Sequence, residues 1–386
     1  MKVLNQCRVL DLGIITAGAA TSAILADLGA DVVKIESKSY KDPFRVWEGE
    51  VLDGESPDLP HFFRMTNRGK ANLGLDLKTE MGRKVFLKLV SNCDVVVENF
   101  SRGVLDRLGL NYETLKLANP DVILASISSQ GENGPDAGYV SFGSTLEAMG
   151  GLSAITGYQY GPPVVSGNDL NYPDQVAAIF ASSMIVTAWY ARQNGQGGAH
   201  LDLSQCELTS FLSGDAFVAE SPRMGNSQPG LSVQDCFFSS DGHWIAVSVT
   251  QTKLDDIAAV VGGSSAEALV DWVAERSANE AIASLQAAGV SATLVLDGVQ
   301  VLAERDRTWV RALLNDKNGQ LVKGTLFDDG SYPPSLDKPA VHLGQNTREV
   351  LARIGGFSPA EVEELLALGV VSEPDYSNTV ASDATQ

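Results

Sequence analysis

The chain has 386 residues, 44% of them hydrophobic and 20% charged, which suits a globular protein with a sizeable core. Its net charge of −20 disfavours nucleic acid and anionic membrane surfaces as partners. Four widely spaced cysteines and four scattered histidines predict neither a disulfide framework nor a metal site. The first residues lack the pattern of a targeting segment, and we predict a cytoplasmic protein.

The charge is distributed unevenly along the chain. Residues 1–110 hold 15 basic and 15 acidic side chains, whereas the remaining 276 residues hold 13 basic and 33 acidic ones. An anionic ligand is therefore expected on the first third of the chain, because the later part would repel it. A role of the acidic excess in solubility alone fits the same counts, so both interpretations stay open.

Short apolar runs alternate with amphipathic segments along the first 130 residues. The runs are typical of buried parallel strands and the segments of helices. The predicted strands cover residues 7–13, 30–36, 71–77, 94–100 and 121–128. The predicted helices cover residues 17–29, 79–93, 103–109 and 111–118. This βαβ series predicts an α/β fold with a doubly wound parallel sheet.

A long apolar segment, YPDQVAAIFASSMIVTAWYARQNGQGG, runs from Tyr172 to Gly198. It is too short and too rich in hydroxyl side chains for a membrane span, and it is typical of a buried helix. Pro173 and Asp174 fit its first turn, where a missing N–H is harmless and a carboxylate complements the helix dipole. Gly195 provides a stop signal. On these residues alone, Asp174 is best interpreted as part of a helix cap.

The character of the sequence changes after about residue 220. A hairpin with the turn SSDG is predicted over residues 233–249, followed by one helix over 252–262 and another over 264–289. Near the C-terminus, Ser358-Pro359 opens the last of several periodic helical segments. The domain boundaries follow from these changes: a large domain over 1–205 completed by 330–386, linkers at 206–224 and 316–329, and a smaller α+β domain over 225–315.

Several local signals have two interpretations each. The turn GIITAGAATS lies between a strand and a helix, and it serves either tight packing or anion binding at the helix start. The segments NRGK and ENFSRG flank strands, so their side chains either meet a ligand in the sheet crevice or are ordinary solvated charges and core residues. No serine or cysteine lies in a nucleophile motif, which leaves carboxylates as the plausible reactive groups.

Taken together, the motifs resemble the class III CoA-transferase family, also called CaiB/BaiF, which includes formyl-CoA and carnitine CoA-transferases. The matches run in order along nearly the whole chain: RVLDLG, LADLGADVVKIE, DPFR, NRGKANLGLDLKTEMGR, DVVVENFSRGVLDRLGL, NPDVILASISSQGENGP, MGGLSAITG, YPDQVAA, NGQGGAHLDLSQCE and LGQNTREVLARI. The resemblance implies a Rossmann-like large domain that binds CoA, a small domain, long linkers and an interlocked homodimer.

The resemblance also implies the chemistry. The family nucleophile is an aspartate at the start of a long apolar helix, and the position that matches is Asp174, with Asp169 as the competitor. CoA would pass from an acyl-CoA to a carboxylic acid through an aspartyl intermediate, without a permanently bound cofactor. A carboxylate at a helix start is expected to stay ionised at neutral pH. The family's glycine loop resembles GNSQPG, residues 225–230, which has fewer glycines.

The CoA contacts of the family carry over onto eight positions of the chain. These are Thr16, Ala17, Lys38, Leu75, Lys78, Asn99, Phe100 and Arg107. Two departures argue against formyl-CoA and oxalate as substrates: Thr16 and Gly143 replace the glutamine and glutamate of formyl-CoA transferases. Some family members have an arginine where this chain has Ser37, with Lys38 next to it.

Three rival functions remain open. A 2-methylacyl-CoA racemase of the same family needs a histidine after SIS, and residues 129–172 contain none. A non-catalytic subunit of a heteromeric transferase would not need Asp174. A CoA-binding protein without catalysis would show no exchange at all. The acyl pocket is expected to include aromatic and thioether side chains, which hint at a medium-sized or aromatic acid: Phe142, Met149, Tyr158, Tyr160 and Tyr172.

Overall fold

The computed structural model describes most of the chain in seven ranges: residues 3–47, 58–156, 161–166, 171–214, 231–304, 313–324 and 338–374. The described residues form two compact units. The first comprises 1–153, 165–214 and 310–386, and the second comprises 154–164 and 215–309. The predicted boundaries placed residues 154–164 with the large domain, whereas the contacts group them with the second unit. The predicted loop at 225–230 lies outside the described residues.

A seven-stranded sheet forms the centre of the first unit. Its order is β12-β3-β2-β1-β4-β5-β6, and all neighbours are parallel except β12, which pairs antiparallel with β3. The strands are β1 Arg8–Asp11, β2 Asp31–Glu36, β3 Ala71–Leu75, β4 Val95–Glu98, β5 Ile123–Ser128, β6 Ala199–Ser204 and β12 Val371–Ser372. The strand order reverses between β1 and β4, and this switch opens a crevice beyond the carboxyl ends of these strands.

Helices cover both faces of this sheet, which confirms the predicted doubly wound α/β fold. The helices of the first unit are α1 Ala17–Asp27, α2 His61–Asn67, α3 Glu80–Val90, α4 Val104–Leu108, α5 Tyr112–Ala118, α6 Gly143–Met149, α8 Tyr172–Gln193, α9 Gln205–Leu212, α14 Thr347–Arg353 and α15 Pro359–Ala367, and α7 Leu152–Ile155 has residues in both units. Alternate residues of each strand pack into hydrophobic cores on opposite faces of the sheet. Leu10 and Val96 pack under α3 and the C-terminal helices, whereas Val9 and Val95 pack under α1 and α8.

Side chains of the C-terminal segment accept hydrogen bonds from the backbone of strand β3. Asn346 accepts the backbone N–H of Asn72 at 3.1 Å, and Thr347 accepts that of Gly74 at 3.1 Å. Helix α15 begins at Pro359 after Ser358, as the sequence predicts, and Ser358 forms a capping box with Glu361. The short edge strand β12 was not predicted, because two residues carry no alternating pattern.

The second unit has its own antiparallel sheet, in the order β7 Leu231–Phe238, β8 Trp244–Thr250, β9 Ser291–Leu294. Its helices are α10 Leu254–Val261, α11 Ala266–Ala274, α12 Ala278–Ala287 and α13 Gly298–Glu304. The predicted hairpin is confirmed. The single helix predicted over 264–289 is wrong, because Ser277 and Glu280 form a capping box that starts a new helix. A ribbon of β10 Leu313–Asn315 and β11 Leu321–Lys323 belongs to the first unit.

One helical stretch of the described residues, Gln251–Ala274, has the length and apolar composition of a membrane span. Its helix is interrupted at Gly262, whose φ of 85° ends α10. Ile257, Leu269 and Val273 are fully buried in the core of the second unit. These side chains of the stretch therefore belong to the core of the second unit.

A buried ion pair fixes the loop that follows β2. The Arg45 guanidinium donates from Nε to Glu36 Oε1 at 3.0 Å and from Nη2 to Glu36 Oε2 at 2.9 Å, and both side chains are almost fully buried. Arg45 also donates to the carbonyl of Val341 at 3.0 Å, which ties this loop to the C-terminal segment. The guanidinium holds the pKa of Glu36 down at about 2, although burial alone would raise it.

We expect Arg45→Met to lower the free energy of unfolding by about 3–5 kcal/mol, because it leaves the Glu36 carboxylate buried and unpaired. Arg348→Met is the matched control, since Arg348 pairs with Glu363 and Glu373 on the exposed surface. An exposed pair contributes about 0–1 kcal/mol. Urea denaturation of both variants measures the difference, and equal losses would contradict the account.

Candidate active site

A cavity of about 1050 Å³ lies at the crevice that the strand order predicts. Its lining includes residues at or just beyond the carboxyl ends of five strands: Ile14 after β1, Ser37 after β2, Asp76 after β3, Asn99 after β4 and Ser129 after β5. Asp174, in the first turn of α8, lines the same cavity. All described lining residues belong to the first unit.

The turn between β1 and α1 forms one wall and is held by side chains from elsewhere in the sequence. Asn99 Oδ1 accepts the N–H of Ile14 at 2.8 Å, and its Nδ2 donates to the Ile14 carbonyl at 3.0 Å. Asp42 Oδ1 accepts the N–H of Ile15 at 3.2 Å. Ile15 has a φ of 58°, which a β-branched residue rarely adopts. These three hydrogen bonds hold a turn that its own residues disfavour.

Two buried lysines lie beneath this turn. Lys34 Nζ pairs with Asp42 at 2.8 Å and donates to the Gly13 carbonyl at 2.5 Å. Lys70 Nζ pairs with Asp11 at 2.7 Å, and burial lowers the pKa of its ammonium to about 8. Neither interpretation of NRGK was right for Lys70: it neither lines the cavity nor is solvated, but forms an interior ion pair.

Asp174 is the third residue of α8, as its interpretation as part of the cap requires. Its Oδ2 faces Gly143, where an added methyl group would lie 3.2 Å from that oxygen and 3.0 Å from Asn171. Burial raises the pKa of the Asp174 carboxyl to about 6, and only a hydrogen bond from its own backbone N–H opposes this. At pH 7 ionised Asp174 still exceeds protonated Asp174 by roughly ten to one, which agrees with the expectation that this carboxylate stays ionised at neutral pH.

The predicted CoA-binding residues divide into two groups. Thr16, Leu75, Lys78, Asn99 and Phe100 line the cavity together with Asp174. Ala17, Lys38 and Arg107 are not among its described lining residues. The roles of both groups remain predictions.

The three residues outside the lining have different surroundings. Ala17 is fully buried at the start of α1, and Arg107 is exposed on α4 beside Gly103. Lys38 lines a smaller cavity of about 510 Å³ between the end of β2 and β12. Asp169, Tyr158 and Tyr160 lie outside the described residues.

Phe100 is held by its neighbours at the cavity wall. The buried carboxylate of Glu98 accepts the N–H of Phe100 at 2.8 Å, and burial raises the pKa of Glu98 to about 7. Tyr40 meets the Phe100 ring edge-on, with centroids 6.2 Å apart. The motif ENF therefore positions an aromatic ring at the crevice, where it could meet a ligand, one of the two interpretations that the sequence left open.

An aromatic wall formed by Phe44, Trp47, His61 and Phe62 was missed by the sequence analysis. The centroids of Phe44 and Phe62 are 5.4 Å apart, and those of Phe44 and Trp47 are 5.7 Å apart. Of the expected pocket residues, Phe142 lines the cavity, whereas Met149 and Tyr172 are not among its described lining residues. The phenylalanines in the segments DPFR and HFFR could have indicated this aromatic wall in the sequence.

The model of CoA-transferase family III matches residues 4–346, and the chain belongs to this family. The resemblance seen in the motifs is thus confirmed. Acetyl-CoA:oxalate CoA-transferase of Acetobacter aceti is 37% identical over 240 residues, 60% of this chain and 60% of that protein. Succinyl-CoA–D-citramalate CoA-transferase of Chloroflexus aurantiacus is 27% identical over 95% of this chain and 98% of its own length.

A solved structure agrees with this assignment. The crystal structure of a CaiB/BaiF family protein from Brucella suis superposes with a TM-score of 0.79 at 26% identity. The superposition covers 90% of this chain and 98% of that one. The interlocked dimer and the cytoplasmic location remain predictions.

We expect Gly18→Ala to destabilise the protein, because its Cβ would lie 2.5 Å from Asn99 Oδ1 and 2.7 Å from the α-carbon of Gly13. Overpacking of this kind costs about 1–3 kcal/mol. Gly138→Ala is the control, since no atom lies within 4 Å of its added methyl group. Thermal unfolding compares the two, and an unchanged midpoint for Gly18→Ala would show that the turn is not tightly held.

Proposed function

We propose that the protein transfers CoA from an acyl-CoA thioester to a carboxylic acid, with Asp174 as the covalent nucleophile. The observation that carries the proposal is Asp174 itself: a half-buried carboxylate in a cavity-lining position, without a cationic partner among the described residues. The names of two curated relatives support CoA transfer as the reaction class. The Acetobacter match spans only 60% of either protein, so this activity is a proposal for the present chain.

A comparison with the other carboxylates of the cavity supports Asp174 as the nucleophile. Glu36 and Asp42 also line it, but Arg45 and Lys34 neutralise them at 2.9 and 2.8 Å. An ion-paired carboxylate is a weak nucleophile because its charge is already stabilised. Asp174 is more basic, with a pKa near 6, and still mostly ionised at neutral pH.

The reaction follows from this carboxylate in four balanced steps. An Asp174 oxygen attacks the thioester carbonyl, the C–S bond breaks, and CoA thiolate leaves a mixed anhydride behind. The thiolate attacks the aspartyl carbonyl, which releases the donor acid and forms an aspartyl-CoA thioester. The acceptor carboxylate attacks that thioester to give a second anhydride and free thiolate. The thiolate then attacks the acceptor carbonyl, which yields the new acyl-CoA and restores Asp174.

The enzyme mainly needs to position the reactants and stabilise oxyanions, because the exchanged thioesters are similar in energy. The N–H groups of Ile14 and Ile15 already donate to Asn99 and Asp42. We therefore assign oxyanion stabilisation to the N–H groups at the start of α1, around Ala17 and Gly18. Their fixed position depends on the hydrogen bonds that hold the preceding turn.

CoA would lie along the part of the cavity formed by the ends of β3 and β4. Lys78 is exposed there and Phe100 presents its ring, which suits a phosphate and an adenine base, respectively. Residues 1–110 are neutral overall in an otherwise acidic chain, so this part repels an anionic ligand least.

Trapping with hydroxylamine tests the nucleophile. The protein is incubated with a panel of acyl-CoAs, including succinyl-CoA, and then with hydroxylamine, and its peptides are weighed by mass spectrometry. We expect a hydroxamate on the peptide that carries Asp174, and none in Asp174→Asn. Asp121→Asn, an exposed aspartate before β5, should keep the wild-type yield. A hydroxamate on a different peptide would refute the assignment of the nucleophile.

The pH dependence of aspartyl-CoA formation follows from the raised pKa of Asp174. It is measured without hydroxylamine, which is itself protonated in the same pH range: single-turnover reactions are quenched and the mass gained by the protein is recorded. Only the carboxylate attacks, so the rate should fall about tenfold per pH unit below about pH 6 and level off above it. An unperturbed aspartate would place this fall near its usual pKa of 3.8. A thioester of 3′-dephospho-CoA is the control substrate, because the phosphate it lacks titrates at about pH 6. A rate that stays flat down to pH 4 would contradict the proposal.

A further inference from the structure

Gln205 is a buried polar residue of the cavity wall, and the fold leaves one end of its side chain without a partner. It is the first residue of α9, directly after the cap residue Ser204, and only 7% of its surface is exposed. Its Oε1 is enclosed and accepts no hydrogen bond from the described residues. An enclosed carbonyl without a donor lowers stability, so hydrogen bonding within the described part of the chain does not account for this side chain.

Other polar side chains of the cavity wall hold neighbouring parts of the wall in place. Asn99 uses both ends of its carboxamide on the backbone of Ile14, at 2.8 and 3.0 Å, and Ser129 Oγ donates to Ser141 Oγ at 2.8 Å. Oε1 of Gln205 has no such use among the described residues. The wall encloses Oε1 but not Nε2, so the Nε2 end of this carboxamide is the one open to the cavity. Gln205 therefore presents an N–H donor there.

Gln205 lies beside Asp174 in the fold. The two residues occupy the first turns of α9 and α8, and these helices pack against each other. Ala177 and Leu208, each three residues further along its helix, are buried in the same hydrophobic core. Both Asp174 and Gln205 line the cavity, so the two first turns open onto it side by side.

The strand order separates Gln205 from the part of the cavity where CoA is expected. Lys78 and Phe100 line the cavity near the ends of β3 and β4. Strand β6, which leads directly into α9, is the last strand at the other edge of the sheet, and β2, β1, β4 and β5 lie between it and β3. A thioester whose nucleotide lies over β3 and β4 would therefore approach Gln205 with its reacting carbonyl group.

We propose that Gln205 is a catalytic residue whose Nε2 donates a hydrogen bond to the acyl oxygen while the Asp174 carboxylate attacks the acyl carbon. This inference rests on the proposed CoA transfer and adds a side-chain donor to the N–H groups at the start of α1. Negative charge moves onto the acyl oxygen as the tetrahedral adduct forms, so a fixed donor stabilises the adduct more than the thioester. Each of the four steps passes through such an adduct.

The replacement Gln205→Met separates catalysis from stability. It keeps the size of the side chain but removes both the donor and the enclosed carbonyl. With the thioester that acylates the wild type, we expect the maximal rate of aspartyl-CoA formation in single turnovers to fall by about tenfold or more. The Kd of CoA in calorimetry should stay unchanged, and the midpoint of thermal unfolding should equal or exceed that of the wild type. Gln205→Glu, which keeps the shape and cannot donate when ionised, should lose the rate as well.

Gln345→Met is the matched control. Gln345 belongs to the first unit and is not among the described residues that line the cavity, and its Oε1 accepts the backbone N–H of His342 at 2.9 Å. Its replacement removes a hydrogen bond that the fold uses. We therefore expect a lower unfolding midpoint and an unchanged rate, the opposite of the result for Gln205→Met.

The outcomes distinguish a failure of this inference from a failure of the proposed function. A wild-type rate in Gln205→Met would overturn the role of Gln205 and leave CoA transfer at Asp174 standing. A slower rate together with a lower unfolding midpoint, or with weaker binding of CoA alone, would mean that Gln205 supports the wall or contacts CoA, which also overturns it. Absence of any adduct on wild-type Asp174 would refute the nucleophile and, with it, the donor assigned to that reaction.

Discussion

Ion pairs buried at the carboxyl ends of the central strands determine the shape of this site. Lys34 with Asp42 and Lys70 with Asp11 lie directly below the turn that precedes α1. Burying such charges costs several kcal/mol per ion, and their attraction roughly offsets that cost, so the pairs add little net stability. Their effect is on the position of the turn. Asp42 also accepts the N–H of Ile15 and so holds this residue in a backbone conformation that isoleucine disfavours. The turn that presents the helix start to the cavity depends on them.

The same electrostatics distinguish a structural carboxylate from a reactive one. Glu36 and Asp174 are both withdrawn from water, which by itself raises a carboxyl pKa. Arg45 reverses this effect for Glu36, whose pKa is about 2, whereas no cation in the part of the chain that the structure describes does so for Asp174, whose pKa is about 6. The hydrogen bond from the backbone N–H of Asp174 lowers this pKa, but burial raises it more. A basic and mostly ionised carboxylate at neutral pH is what covalent catalysis by an aspartate needs.

The sequence predicted what depends on local patterns. The βαβ order, the start of α8 at Tyr172 and the position of Asp174 in its first turn all follow from periodicity and cap residues. Contacts between distant segments could not be predicted in this way. Asn99 binds the backbone of Ile14, 85 residues away, and Arg45 binds Val341, 296 residues away. Lys323 donates its backbone N–H to Met65, 258 residues away, because β11 packs on α2.

Transfer of oxygen from substrate to enzyme tests the central claim, that Asp174 forms anhydrides with the acids it exchanges. The acceptor acid is labelled with oxygen-18 in its carboxylate and incubated with the unlabelled acyl-CoA that gives the hydroxamate. In the proposed sequence an acceptor oxygen bridges the second anhydride and stays on Asp174 when thiolate attacks the acceptor carbonyl. The account predicts heavy oxygen in the peptide that carries Asp174 after turnover. Turnover that leaves this peptide unlabelled would contradict it.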